Sequence, residues 1–136
     1  MLGVGILGLG EGRSTISAVL QSEKLQLKMI CDANLAVCRQ RADEFKVYEY
    51  TTSYEEMLQD EGIDIIAIYT PDHLHAEHVA MALQHGKHVV CTKPFIDDLS
   101  KAAELLKLQA ATGKKVFVGQ SSRFFLFFKR KRKYFE

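Results

Sequence analysis

The chain has 136 residues, of which 47% are hydrophobic and 26% charged, proportions that fit one globular domain with a real core. No apolar run approaches the ~20 residues that cross a bilayer, and Met1-Leu2-Gly3-Val4 lacks the basic start and small-residue cleavage site of a secretory leader, so no membrane partner is expected. Five of the 18 cations crowd into Lys129–Lys133; residues 1–128 hold 13 cations against 16 anions, a net −3, which argues against a nucleic-acid partner.

In chain order, Val- and Ile-rich segments alternate with stretches of helical period. Strands are expected at Leu2–Leu9, Leu25–Cys31, Val47–Tyr50 (short and weak), Ile63–Tyr69, His88–Cys91 and Lys115–Val118. Helices are expected at Arg13–Gln21, Leu35–Phe45, Tyr54–Gln59, Leu74–Gln84 and Leu99–Ala111. Ser53 with Glu56 three residues on reads as a capping box, Asp97 or Asp98 can cap the last helix, and Gly113 is its expected stop. In that helix Leu99, Ala102, Ala103, Leu105, Leu106 and Ala110 make one apolar stripe. Leu2–Leu9 and Ile63–Tyr69 are apolar almost throughout, the pattern of parallel strands covered on both faces. The expected fold is therefore α/β, a doubly wound, mostly parallel sheet of the Rossmann type, with a dinucleotide-binding domain over residues 1–120.

Two glycine patterns overlap near the N-terminus. Gly3-Val4-Gly5-Ile6-Leu7-Gly8 has the right spacing, but its glycines would lie inside the first strand. Gly8-Leu9-Gly10-Glu11-Gly12 follows that strand and opens a helix, the context in which backbone amides and the helix's positive end can hold a diphosphate. Gly8 would make the tight turn, and Gly10 would let the backbone approach the anion. The usual third glycine falls at Arg13, with Gly12 one place early; Arg13 is either a direct phosphate ligand or a solvated first-turn cation.

Asp32 falls 22 residues after Gly10, at the carboxyl end of the second expected strand, where a carboxylate can accept both ribose hydroxyls of an adenosine. Like charges ~4 Å apart repel by ~4 kcal/mol at an effective dielectric of 20, so Asp32 favours NAD over NADP unless Arg13 neutralises the extra phosphate. The cofactor expected is NAD.

The ends of the fourth and fifth strands read Thr70-Pro71-Asp72-His73-Leu74-His75 and Thr92-Lys93-Pro94, with Ala82-Leu83-Gln84-His85-Gly86-Lys87-His88-Val89 between them and Val118-Gly119-Gln120-Ser121-Ser122-Arg123-Phe124 beyond. In these four ordered segments and the glycine loop the chain resembles the N-terminal domain of the Gfo/Idh/MocA oxidoreductases over about residues 2–124. Asp72 stands where that family has Asn, and Thr92 where it has Glu. The resemblance implies that Thr70, Pro71 and His75 line the cofactor groove, that Gln120 joins it, and that Lys93 sits beside the nicotinamide as the catalytic group. It further implies an NAD(P)-dependent enzyme acting on a small hydroxylated substrate, a sugar, a polyol or a related compound. A second, mostly β domain would supply the substrate pocket; residues 121–136 would be the crossover toward it, and the chain alone would be catalytically incomplete. Phe124–Phe128 would then be exposed, and self-association into a homo-oligomer is expected through it.

Other readings are weaker. A non-catalytic nucleotide-binding scaffold gains from the altered Thr-Lys-Pro segment. The basic tail could attract phosphates, but such runs are usually solvated. His75 and His78 share a helix face with no third ligand in view, so no metal is expected. Cys31, Cys38 and Cys91 make no disulfide framework and suit the cytoplasm.

Overall fold

The computed structural model describes residues 1–121. Six strands form one parallel sheet: β1 (Leu2–Leu7), β2 (Leu25–Cys31), β3 (Tyr50–Thr51), β4 (Ile65–Ile68), β5 (His88–Thr92) and β6 (Val116–Gly119). Their order is β3-β2-β1-β4-β5-β6, and every paired strand runs parallel to its neighbour. Helices α1 (Arg13–Leu20), α2 (Leu35–Phe45), α3 (Tyr54–Gln59), α4 (His75–Gln84) and α5 (Ala102–Thr112) make the crossovers. This is the doubly wound Rossmann arrangement that the alternation of segments predicts.

The sheet divides the core in two. On one face Val4, Ile6, Ile16, Val19, Ile30 and Cys38 join β1 and β2 to α1 and α2. On the other, Met57, Leu58, Ile66, Ile68, Val79 and Leu83 pack α3 and α4 on β4. Ile6, Ile66 and Ile68 are wholly buried, which is why these strands carry no polar alternation. The strand order reverses between β1 and β4, and the crevice at their carboxyl ends is where ligands of such sheets bind.

Several boundaries and caps differ from expectation. β1 ends at Leu7 because Gly8 turns with φ 86°. The weak strand forms at Tyr50–Thr51, nearer the ends of its neighbours, where Thr51 pairs with Cys31. Ser53 Oγ accepts from Glu56 N at 3.2 Å, but the carboxylate of Glu56 takes the Thr51 hydroxyl, so only half of the capping box forms. Gly113 ends α5 with φ 65°, as expected.

The apolar stripe of the last helix is corrected most. Leu99–Lys101 forms a 3₁₀ turn capped by Asp98, whose carboxylate accepts from Ser100 N at 2.9 Å. Leu105 and Leu108 turn to the core, while Leu99 and Leu106 are 84% and 66% exposed.

Candidate dinucleotide site

The glycine loop is shaped by close contacts. A side-chain Cβ on Gly8 would lie 2.6 Å from the Tyr69 carbonyl, and one on Gly12 would lie 2.3 Å from Gly8 O. Around Gly10 nothing comes within 4 Å. Gly3 and Gly5 lie inside β1, where a Cβ would meet Gly62 and Met57; those glycines serve packing. Gly12 caps α1 and brings the helix against β1 and Tyr69, so the close-packing position is Gly12 rather than Arg13.

Arg13 is exposed at the start of α1 and is not without a partner. Its guanidinium pairs with the Glu44 carboxylate on α2, which raises the arginine pKa and lowers that of the glutamate, through the hydrogen bond first. Glu44 also accepts from Arg41 at 2.8 Å, and Arg41 Nε donates to Leu9 O at 3.2 Å, so α2 grips the loop.

The loop leaves donors free. Gly8 N donates to Cys31 O and Leu9 N to Asp32 Oδ2, but among the described residues the N–H groups from Gly10 to Ser14 meet no protein acceptor. No side chain caps α1. Five amides at the positive end of a helix, beside an open approach at Gly10, make a fitting cradle for a diphosphate.

Asp32 directly follows β2 and is half-buried. Its Oδ2 accepts from Leu9 N and its Oδ1 from Asn34 N, each at 2.9 Å. The carboxylate thus braces the glycine loop while standing on the wall of a cavity of about 530 Å³. Gly8, Gly10, Thr70 and Pro71 line the same cavity. So do Tyr54, Leu74 and His78, which no motif singled out for this role. The sequence offered Tyr54 only as a helix start and His78 only as half of a metal pair.

A second cavity of about 510 Å³ lies across the loop, lined by Glu11, Ser14, Tyr69, Thr92 and Lys93 with Gly119 and Ser121. Lys93 is the first residue past β5 and is exposed there, before a cis Lys93–Pro94 bond. Tyr69 borders both cavities; its hydroxyl meets Thr15 Oγ1 at 2.6 Å. Gln120 is exposed beyond β6 and lines neither cavity.

His75 does not reach the groove wall. It is wholly buried, with Nδ1 2.6 Å from Pro94 O and Nε2 2.7 Å from Thr70 O. It ties the loop after β4 to the loop after β5 from beneath. His78, one turn further along α4, lines the first cavity. Among the described residues no group of three or more His, Cys, Asp or Glu converges as for a metal. Cys91 is buried and its thiol is pushed up to about 12 by burial, the reverse of what a reactive thiol needs. Phe124–Phe128, Arg123 and the basic run lie outside the described residues.

The fold and the loop define a Rossmann domain with a nucleotide crevice. The chain belongs to the Gfo/Idh/MocA oxidoreductase family: the model described as "Oxidoreductase family, NAD-binding Rossmann fold" matches residues 2–120. It is 29% identical over 127 residues to YrbE, an uncharacterized oxidoreductase of Bacillus subtilis, covering 93% of this chain and 37% of the relative. It is 28% identical over 115 residues to the D-glucoside 3-dehydrogenase of Escherichia coli, covering 83% of this chain and 33% of the enzyme. The crystal structure of GenD2 from gentamicin A biosynthesis in complex with NAD superposes on 98% of this chain and 38% of its own with a TM-score of 0.91 at 22% identity, which shows the shared fold. The chain spans about a third of the length of these relatives.

Proposed function

We propose that this chain is the cofactor-holding part of an NAD-dependent oxidoreductase that moves a hydride between nicotinamide and a sugar, polyol or related hydroxy compound. The observation that carries the proposal is the pair of cavities of similar volume on either side of a loop with five unpaired amides. A dinucleotide laid across the loop puts its diphosphate at Gly10 and its adenosine against Asp32. Its second nucleoside then falls in the cleft that holds Lys93.

The bound nicotinamide supplies the hydride acceptor or donor at its C4. Lys93 offers N–H bonds to a substrate oxygen in that cleft and steadies negative charge growing there. Thr92 brings no anion beside Lys93; what is anchored there is the backbone, through the end of β5 and the Pro94 carbonyl held by His75. Asp32, free of any cation among the described residues, repels a 2′-phosphate and supports NAD over NADP. The substrate pocket and any further acid–base group belong to a second domain such as the longer relatives have room for. Self-association through Phe124–Phe128 is part of the same proposal, on the ground of its five consecutive apolar residues, and light scattering tests it. A reducing, cytoplasmic setting is supported by three buried, unbridged cysteines.

Calorimetric titration of the 136-residue protein with NAD is the direct test. Saturable one-to-one binding that the Asp32→Ala variant loses is expected; no saturable binding by the native chain refutes the proposal.

A further inference from the structure

We infer that His78 is the residue that reads the base of the adenosine half. The inference rests on the dinucleotide reading and adds to it a side chain that recognises the base.

The first cavity is polar at one end and apolar at the other. Gly8, Gly10 and Asp32 stand at the loop end, where the diphosphate and ribose belong. Besides Thr52 and Thr70, the lining past Asp32 holds Tyr54, Pro71, Leu74 and His78, and a base attached to a ribose on Asp32 is placed among these last four. Pro71, Leu74 and the Tyr54 ring offer apolar surface to the flat faces of a purine. Of these four side chains, the imidazole and the Tyr54 hydroxyl carry polar atoms, and that hydroxyl is spent: it donates to His78 O at 2.9 Å.

The imidazole is held in place before any ligand arrives. Its Nδ1 lies 2.9 Å from Thr70 Oγ1. The Tyr54 ring meets it edge-on, with centroids 5.1 Å apart and planes at 72°. Nε2 has no hydrogen-bond partner among the described residues. Yet no buried side-chain nitrogen or oxygen there is left unsatisfied, so Nε2 keeps open surface, and the cavity it borders is the space it meets. Burial disfavours the imidazolium and lowers the pKa of the ring, so at neutral pH it has one N–H and one lone pair to share between Thr70 and a ligand. An adenine edge carries ring-nitrogen acceptors beside a donor amino group, so either arrangement of the imidazole proton finds a partner on it. A rigid polar atom on a largely apolar wall gives orientation and specificity.

The test uses the 136-residue protein with AMP, NMN and NAD as separate ligands. His78→Phe keeps the ring and its contact with Tyr54 but removes both nitrogens. It should weaken AMP and NAD alike by about fivefold, the net worth of one hydrogen bond, and leave NMN unchanged. Undiminished AMP binding by this variant overturns the inference while the dinucleotide reading stands. A native chain that binds neither AMP nor NAD removes both. Should the variant fail to fold, the ring ¹⁵N resonances of His78 in the native protein decide. They should move on addition of AMP and stay still with ribose 5-phosphate; a ring that ignores AMP sinks the inference.

Discussion

Replacing Gly10 by Ala separates binding from folding more cleanly than any other change in the loop. Gly10 does not have a positive φ, and a methyl there meets nothing within 4 Å. The backbone accepts alanine without strain, and the stiffer unfolded chain makes the protein more stable by ~0.4–1 kcal/mol. The same methyl stands in the approach that a diphosphate would use. Losing one or two hydrogen bonds to a charged group, each worth ~1.5–3 kcal/mol, weakens NAD by roughly ten- to a hundredfold or more. The controls are Gly8→Ala and Gly12→Ala, whose methyls would sit 2.6 Å and 2.3 Å from backbone atoms. Overpacking of that kind costs about 1–3 kcal/mol, and the left-handed φ of Gly8 adds about 1–2 more. Thermal unfolding and calorimetric titration of the three variants decide the matter. A Gly10→Ala protein that binds NAD as the native chain does refutes the amide cradle. One that loses stability like Gly12→Ala refutes the loop geometry.

Three further outcomes are expected. Asp32→Asn keeps an oxygen for the Leu9 amide but sheds the charge; in paired titrations it should weaken NAD, strengthen NADP and lower the preference at least tenfold. The thiols of Cys31 and Cys91 are each pushed up to about 12, mainly by burial; a colorimetric thiol reagent at about pH 8 should leave them unmodified in the native protein and count three per chain after unfolding. His78 is held neutral, with its folded pKa below the unfolded value of about 6.5. Below that value the unfolded state takes up the proton more readily, so stability is full above about pH 6.5 and falls as the pH drops through the folded pKa. Urea midpoints between about pH 7 and 5 should fall less steeply in His78→Phe; an unchanged slope places the dependence elsewhere.

The fold was legible because its signals are local. Unbroken apolar runs at β1 and β4 mark strands buried on both faces, and two strong stops, Gly8 and Gly113, fall where the backbone needs a left-handed turn. That Asp32 stands beside the loop was legible from its distance along one βαβ unit, a spacing that the fold itself imposes. What stayed hidden depends on pairs distant in sequence. Arg13 meets Glu44 across 31 residues, and nothing in Arg13's own neighbourhood announces that partner. His75 and His78 lie one turn apart on α4, yet one is sealed under the loops and the other opens on the cavity, a difference set by Thr70 and Pro94. The stripe on α5 was drawn too wide: Leu105 and Leu106 are successive residues of one regular helix, and the side packed on the core takes Leu105 and Leu108 while Leu106 stays exposed.

The site is built to keep its shape without ligand, and Leu9 shows how. Its side chain is wholly buried, its amide is taken by Asp32, and its carbonyl by Arg41. One residue between two glycines is therefore fixed from three directions, and the flexibility that Gly8 and Gly10 bring to an unfolded chain is removed in the fold. On the proposed reading the loop amides that no protein group takes are then available to a diphosphate without further ordering of the loop. On that reading the Asp32 carboxylate has two tasks, since the group that braces Leu9 is also the one offered to the ribose. A carboxylate so held keeps one position on the groove wall, with both oxygens fixed by backbone amides. If the proposed reading holds, recognition of the sugar and the shape of the glycine loop rise or fall together.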